Sequence, residues 1–278
     1  MGTLRAPRRN EEMVARLEDT VDRLIFGSGI SSPPVDIEAI ALKLGVVKIL
    51  RRDIDSDAIF VPSPDTPAIL LNSSHNETRQ RYSCAHEIAH LLLDRNEFAF
   101  RGMEEASDRK VEEFCDEFAA SLLMPRYLLS KYLPAHRLGM TDIMRLATLF
   151  NTSVTATARR ALTFSKYPGA LVYTIEGGNR DGTSSVPRVK WQVVRGLKHG
   201  KGRFHVLAKE VEAGRSIIAR AFEANYTCGG LENLMVGPTK HEFFVEAKHF
   251  PARSGPFVLA LAFPTDSQPN ERGDGVHK

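Results

Sequence analysis

Residues 83–94 read SCAHEIAHLLLD, a run in which two histidines stand four positions apart with a glutamate directly after the first. Tyr82, Cys84, Ala85, Ile88, Ala89 and Leu91 to Leu93 surround them, so the segment is apolar nearly all round and is expected to be a buried helix. On an α-helix, residues four apart stand one above the other on the same face. His86 and His90 can therefore aim an imidazole nitrogen each at one ion about two ångströms away, as zinc requires. Glu87 lies about a hundred degrees round the helix, off that line but beside the ion. There it can take a proton from an attacking water and hand it to a leaving amine. This is the HExxH arrangement of zinc peptidases. Two unpartnered histidines and a carboxylate in a buried helix would be costly, and a metal removes that cost.

Two histidines need a third protein ligand, with a fourth position left open for water. The nearest candidates lie in DRKVEEFCDEFAASLLMP, residues 108–125, expected to be a helix from about Ser107 to Met124 that Pro125 ends. Glu112, Cys115, Asp116, Ala119 and Leu123 share one face there. Glu112 can bind the ion while Asp116, one turn on, hydrogen-bonds a ligand histidine and fixes its tautomer. Small Cys115 and Ala119 allow the two helices to approach closely. Glu113 and Glu117 form a competing pair one step round the helix, and most glutamates of this group must be solvated surface charges.

The two segments together resemble the ImmA/IrrE family of zinc metallopeptidases. That family pairs HExxH with a later E-x-x-(A/C)-(N/D)-x-x-A and a Leu-Leu-Met-Pro ending, matched here by YSCAHEIAHLLL and EEFCDEFAASLLMP. The resemblance also takes in PVDIEAIALKLGV, ILLNSSHNETRQRYSCAHE and the helices after Pro125, covering roughly residues 10 to 165. It implies His86, His90 and Glu112 as zinc ligands, Glu87 as general base and Asp116 as a supporting carboxylate, with manganese as the alternative ion. Cys115 replaces the commoner alanine, which places a thiol near the metal; its plainer reading is a small buried hydrophobe. The implied activity is site-specific cleavage of a transcriptional repressor of the helix-turn-helix type in response to stress or mobile-element signals.

The rest of the chain frames this site. With 278 residues, 42% hydrophobic and 26% charged, the sequence is that of an ordinary globular protein large enough for two domains. A net charge of +3 does not by itself indicate a nucleic-acid binder. Three scattered cysteines, Cys84, Cys115 and Cys228, argue for a reducing compartment, and no signal peptide or transmembrane run is present. A cytoplasmic protein is expected. Asn10 to Gly27 has an amphipathic pattern built on Met13, Val14, Leu17, Val21, Leu24 and Ile25. Asp36 is a plausible N-cap for a helix stopping at Gly45. Short β-like runs at VVKIL, DAIFVP and AILLN precede the HExxH helix.

Two helices fit TDIMRLATLF and SVTATARRALTF with a turn at Phe150–Thr152, a helix-turn-helix-like pair. Its second helix offers only Arg159 and Arg160 to a phosphate backbone, so packing is favoured over DNA reading. After about Lys166–Gly169 the pattern turns to strands: ALVYTIEG, VKWQVV, RFHVLAK, EFFVEAKHF and PFVLALAFP, with one helix near GRSIIARAF. The fold class expected is α+β. A disordered start (1–9) is followed by a zincin-like metallopeptidase domain (10–130) and a helical segment (131–167). A strand-rich C-terminal domain (168–265), which some members of the resembled family have as a GAF-like sensor, leads to a disordered tail (266–278). The basic stretch Arg188 to Lys209 holds Lys198, Lys201 and Arg203 at a hairpin tip, either a solvated edge or a surface for an acidic partner or nucleic acid. Neither substrate nor oligomeric state follows from the sequence. The competing function is a DNA-binding or scaffold regulator that keeps the fold with its peptidase gated or absent. Tyr82 is expected to pack in the core, and His75 to lie exposed in its loop.

Overall fold

Asp36 begins the ordered path to the site as expected. Its carboxylate accepts from the Ala39 N–H at 2.9 Å and starts α2 (Ile37–Lys43), after which Gly45 takes φ +86 and turns the chain into β1 (Lys48–Arg52). The computed structural model describes residues 9–63, 65–95, 107–177, 186–197, 204–205, 216–236, 239–252 and 255–267. They divide into two units, residues 1–132 with 146–160, and residues 133–145 with 161–278. The architecture is mixed α and β with two sheets. No helix among the described residues is long and apolar enough to cross a membrane.

The first unit holds a three-stranded sheet in the order β1-β3-β2. β3 (Ala68–Asn72) pairs parallel with β1 and antiparallel with β2 (Ala58–Val61), so β2 is an edge. Ile69 and Leu71 of the central strand turn inward to the helices, at most 1% exposed. The HExxH helix is α3 (Glu77–Asp94), capped by the Asn76 side-chain oxygen Oδ1 accepting from the Arg79 N–H. α4 (Asp108–Leu123) packs on it. Cys115 and Ala119 of α4, the small residues expected to bring the two helix backbones together, are fully buried, and so are Ala85 and Ala89 of α3. α1 (Arg9–Gly27) packs on α4 and buries Leu17, Val21 and Ile25 at four-residue spacing, while Val14 on its first turns faces solvent.

Pro125 ends α4 and also starts a helix that the periodicity did not announce, α5 (Arg126–Tyr132), its carbonyl accepting from Leu129 N–H at 2.8 Å. Proline suits such a start because its missing N–H has no partner to lose in a first turn. α6 (Met140–Phe150) and α7 (Val154–Phe164) follow, joined through Asn151 in the left-handed region. The helix-turn-helix-like pair is present, but Arg160 does not face outward. It is 3% exposed, makes a two-pronged bond to Glu18 of α1 at 2.6 and 2.8 Å, and gives its Nε–H to the Met124 carbonyl. Ser121 completes the set by donating to the same Glu18 carboxylate.

The second unit is built on a six-stranded antiparallel sheet in the order β5-β4-β9-β8-β7-β6. The strands are β4 (Gly169–Gly177), β5 (Val186–Arg195), β6 (Phe204–His205), β7 (Thr227–Val236), β8 (Thr239–Phe250) and β9 (Phe257–Pro264). α8 (Ile217–Ala224) lies on one face, where Ile217, Ile218 and Ala221 pack with Val172, Val245, Val258 and Ala260. β7 was not expected, because Gly229, Gly230 and the polar pair Glu232–Asn233 read as a turn. Its ten-residue register with β8 overrides that local preference, and Glu232 accepts from the Ile217 N–H to start α8. Lys198, Lys201 and Arg203 lie outside the described residues, and the strands on either side of them, β5 and β6, stand at opposite edges of the sheet and do not form the expected hairpin.

Burying Glu18 and Arg160 together makes each depend on the other. Replacing Arg160 by leucine should lower stability by about 3–5 kcal/mol, read as a shift in the urea unfolding midpoint, because a buried carboxylate loses its partner. The double change Glu18→Met with Arg160→Leu should recover most of that loss. A single variant as stable as the parent would show that the pair is dispensable.

Candidate metal centre

α3 turns its apolar residues into the core and leaves His86, Glu87 and His90 on the remaining flank, with the two imidazoles 16% and 29% exposed. His86 Nε2 and His90 Nε2 stand 3.2 Å apart. From α4, Glu112 Oε2 comes to 3.2 Å from His86 Nε2 and Glu112 Oε1 to 3.4 Å from His90 Nε2. Atoms bound tetrahedrally to zinc at 2.0–2.1 Å lie about 3.3 Å from one another. The three side chains thus already have the mutual spacing such an ion imposes, and the donor set of two imidazoles and a carboxylate fits zinc.

The other glutamates of α4 are engaged elsewhere. Glu113 pairs with Arg109 at 2.9 Å on the helix surface, and Glu117 lies 3.9 Å from Arg160. Asp116 is placed one turn beyond Glu112 as expected, 3.2 Å from His86 Nδ1. With the Nδ1 proton directed at a carboxylate, Nε2 keeps its lone pair for a metal. The contact with His86 holds the Asp116 carboxyl below its ordinary range, and the same hydrogen bond raises His86. A proton therefore competes with a metal for this imidazole, and acid favours the proton.

Tyr82 does more than pack. Its hydroxyl donates to Asp116 Oδ1 at 2.8 Å, so the chain runs Tyr82, Asp116, His86. Burial, followed by that bond to an anion, pushes the phenol upward, which keeps the proton on Tyr82 and the negative charge on Asp116. The alternation of apolar residues on α3 concealed this role, since a tyrosine at that spacing reads equally well as core.

Glu87 is turned away from the imidazoles toward β2, where its Oε2 accepts from the Phe60 N–H at 2.9 Å. β2 has a strand neighbour on one side only among the described residues, so this amide is free of the ladder and can hold a side chain. Burial raises the Glu87 carboxyl, against the pull of His90, His86 and the Phe60 amide. A carboxylate raised in this way is a better proton acceptor near neutral pH. Nothing in the sequence marks Phe60, because a backbone donor has no residue signature.

Cys115 is fully buried, as a small hydrophobe should be. Its sulfur nevertheless lies within 4.8 Å of ligand nitrogens of both His86 and His90. Burial pushes its thiol up to about 12, as it does that of Cys84. Cys84 belongs to a different place, a cavity of about 380 Å³ lined also by Glu38, Arg51, Gln80 and Arg81. His75 does not join the metal cluster: it is half-buried rather than exposed, with Nε2 at 3.7 Å from Asp57.

Comparison with known proteins sets this geometry in context. A comparison with curated proteins finds no match. Among solved structures, a Mycobacterium tuberculosis transcriptional regulator superposes with a TM-score of 0.60 at 15% identity, covering 93% of this chain and 82% of the other. At that identity the likeness is one of fold. Residues 35–162, which contain β1 to β3, the histidine pair and Glu112, match the model of the peptidase M78 family described as an IrrE N-terminal-like domain. Through that segment the chain carries an IrrE N-terminal-like domain, the peptidase-type domain of the ImmA/IrrE family.

Proposed function

We propose that the protein is a zinc-dependent endopeptidase that cleaves a transcriptional repressor of the helix-turn-helix type and so releases a stress or mobile-element response. The observation that carries the reading is the convergence of His86, His90 and Glu112 at 3.2–3.4 Å, with Glu87 beside them and held apart from them. A metal bound there would polarise the scissile carbonyl and make the attacking water more acidic. Glu87 takes the proton of that water on a carboxylate oxygen and delivers it to the departing amine nitrogen. His86 is kept in register by Asp116, and Asp116 by Tyr82. The edge of β2, which has a strand neighbour on one side only among the described residues, offers its backbone groups other than the Phe60 N–H to an extended peptide laid along it, a common way to bind a polypeptide without reading much of its sequence.

The likeness in fold to a transcriptional regulator supports a regulatory role. The DNA-binding alternative loses one of its two candidate contacts, because Arg160 is buried against Glu18. Three free cysteines support a cytoplasmic setting. The strand-rich second unit takes no part in the chemistry in this reading. As a sensor of the GAF-like kind or as a recognition surface, it sets when or what the protein cuts.

Glu87→Gln should keep metal and fold while cleavage falls by about 10²–10⁴-fold. The amide oxygen still accepts from Phe60, but it cannot take a proton. The protein would be co-expressed with each helix-turn-helix repressor encoded beside its gene and cleavage scored by gel, with zinc measured by elemental analysis. Cleavage at the parental rate would remove Glu87 from the reaction. Glu112→Ala should weaken zinc binding by about tenfold or more, whereas Glu113→Ala should leave it within about twofold, because Glu112 lies against the histidines and Glu113 pairs with Arg109 instead. The reverse order in a chelator competition would move the site round α4. Neutralising Lys198, Lys201 and Arg203 together should leave zinc binding intact and weaken partner binding, by a factor that shrinks as salt rises. Unchanged partner affinity at low salt would make that segment a bystander.

A further inference from the structure

We propose that Cys115 is a fourth protein donor at this site, so that the centre has a closed form with His86, His90, Glu112 and the Cys115 thiolate. This rests on the metal-centre reading above and extends it to a residue outside that ligand set. Glu112 and Cys115 are three apart on α4, and both come near the imidazole pair. The Glu112 side chain is 57% exposed and comes from solvent, whereas Cys115 is fully buried and comes from the helix interface. Zinc-bound sulfur and nitrogen, at 2.3 and 2.0–2.1 Å from the ion, stand about 3.5 Å apart. The Cys115 sulfur lies within 4.8 Å of one ring nitrogen of each histidine, at most about 1.3 Å beyond that separation.

The chemistry favours the bond once an ion is present. Ligation replaces the S–H bond by a sulfur–metal bond and releases the proton to solvent, with no change of oxidation state. Four protein donors fill a tetrahedral zinc site, and such closed sites are structural rather than catalytic. Hydrolysis then needs Cys115 to withdraw as the neutral thiol and leave a position open. The closed form is a resting state, and a sulfur donor biases it toward zinc over manganese.

The test uses the full chain loaded with cobalt(II) in place of zinc. The parent should show both the visible ligand-field bands of a tetrahedral ion and a thiolate-to-metal charge-transfer band in the near ultraviolet. Cys115→Ala and Cys115→Ser should keep the first and lose the second, and zinc affinity should fall by about tenfold or more in both. X-ray absorption at the zinc edge of the unmutated protein should show a sulfur neighbour at about 2.3 Å, a measurement that depends on no variant. Ligand-field bands without a charge-transfer band, or a band that survives Cys115→Ala, would overturn the assignment while leaving the metal centre intact. Failure of cobalt and zinc to bind at all would overturn the metal centre itself, and this inference with it.

Discussion

The close packing of α3 on α4 is the constraint from which the site follows. An imidazole pair on one helix can be completed by a carboxylate on another only if the two backbones come near enough for a glutamate to span the gap. Ala85 and Ala89 on one side and Cys115 and Ala119 on the other supply that approach, all four without solvent exposure. A larger side chain at any of them would push Glu112 away from the histidines and cost packing as well. The same interface therefore stabilises the first unit and sets the spacing of its donors. This is why the histidine motif alone, on an isolated helix, carries half of a site.

Around the donors, each polar group is held by one that does not itself reach the cluster. Asp116 fixes the His86 tautomer, Tyr82 fixes Asp116, and the Phe60 amide holds Glu87 off the imidazoles. Preorganisation of this kind spares the reaction the work of arranging its groups. It also separates two carboxylates of one kind by environment. Asp116 accepts from two partners and stays ionised, whereas burial raises Glu87 and suits it to receive a proton.

What could be read from the residues divides along physical lines. The helices α1, α2, α3 and α4 and the three short strands were legible because spacing, caps and breakers are local, and the donor spacing of His86 and His90 is a property of one helix, whereas Glu112 was singled out from its neighbours by the family resemblance. α5 was hidden because Pro125 reads as an end and serves equally as a beginning. β7 was hidden because its glycines favour a turn, and only the ladder to β8, formed by residues further along the chain, makes a strand of it. Phe60 and the hydroxyl of Tyr82 belong to the same class of omission. Their roles are contacts across 27 and 34 residues, and neither residue type announces one. Arg160 went further, since a surface-looking charge on a short helix is drawn inward by Glu18, placed 142 residues earlier.

Position 115 shows how tightly the two levels are joined. Helix packing restricts it to a small side chain, which leaves alanine, serine, glycine or cysteine as the choices. Glycine would weaken α4, and serine would bury a hydroxyl needing a partner. Alanine and cysteine remain, nearly equal as packing residues, and they differ in that one adds a sulfur on the buried side of two imidazoles. A core residue chosen for volume thereby acquires a chemistry the core does not need. Its consequence falls on the side chains that, among the described residues, are arranged to hold an ion.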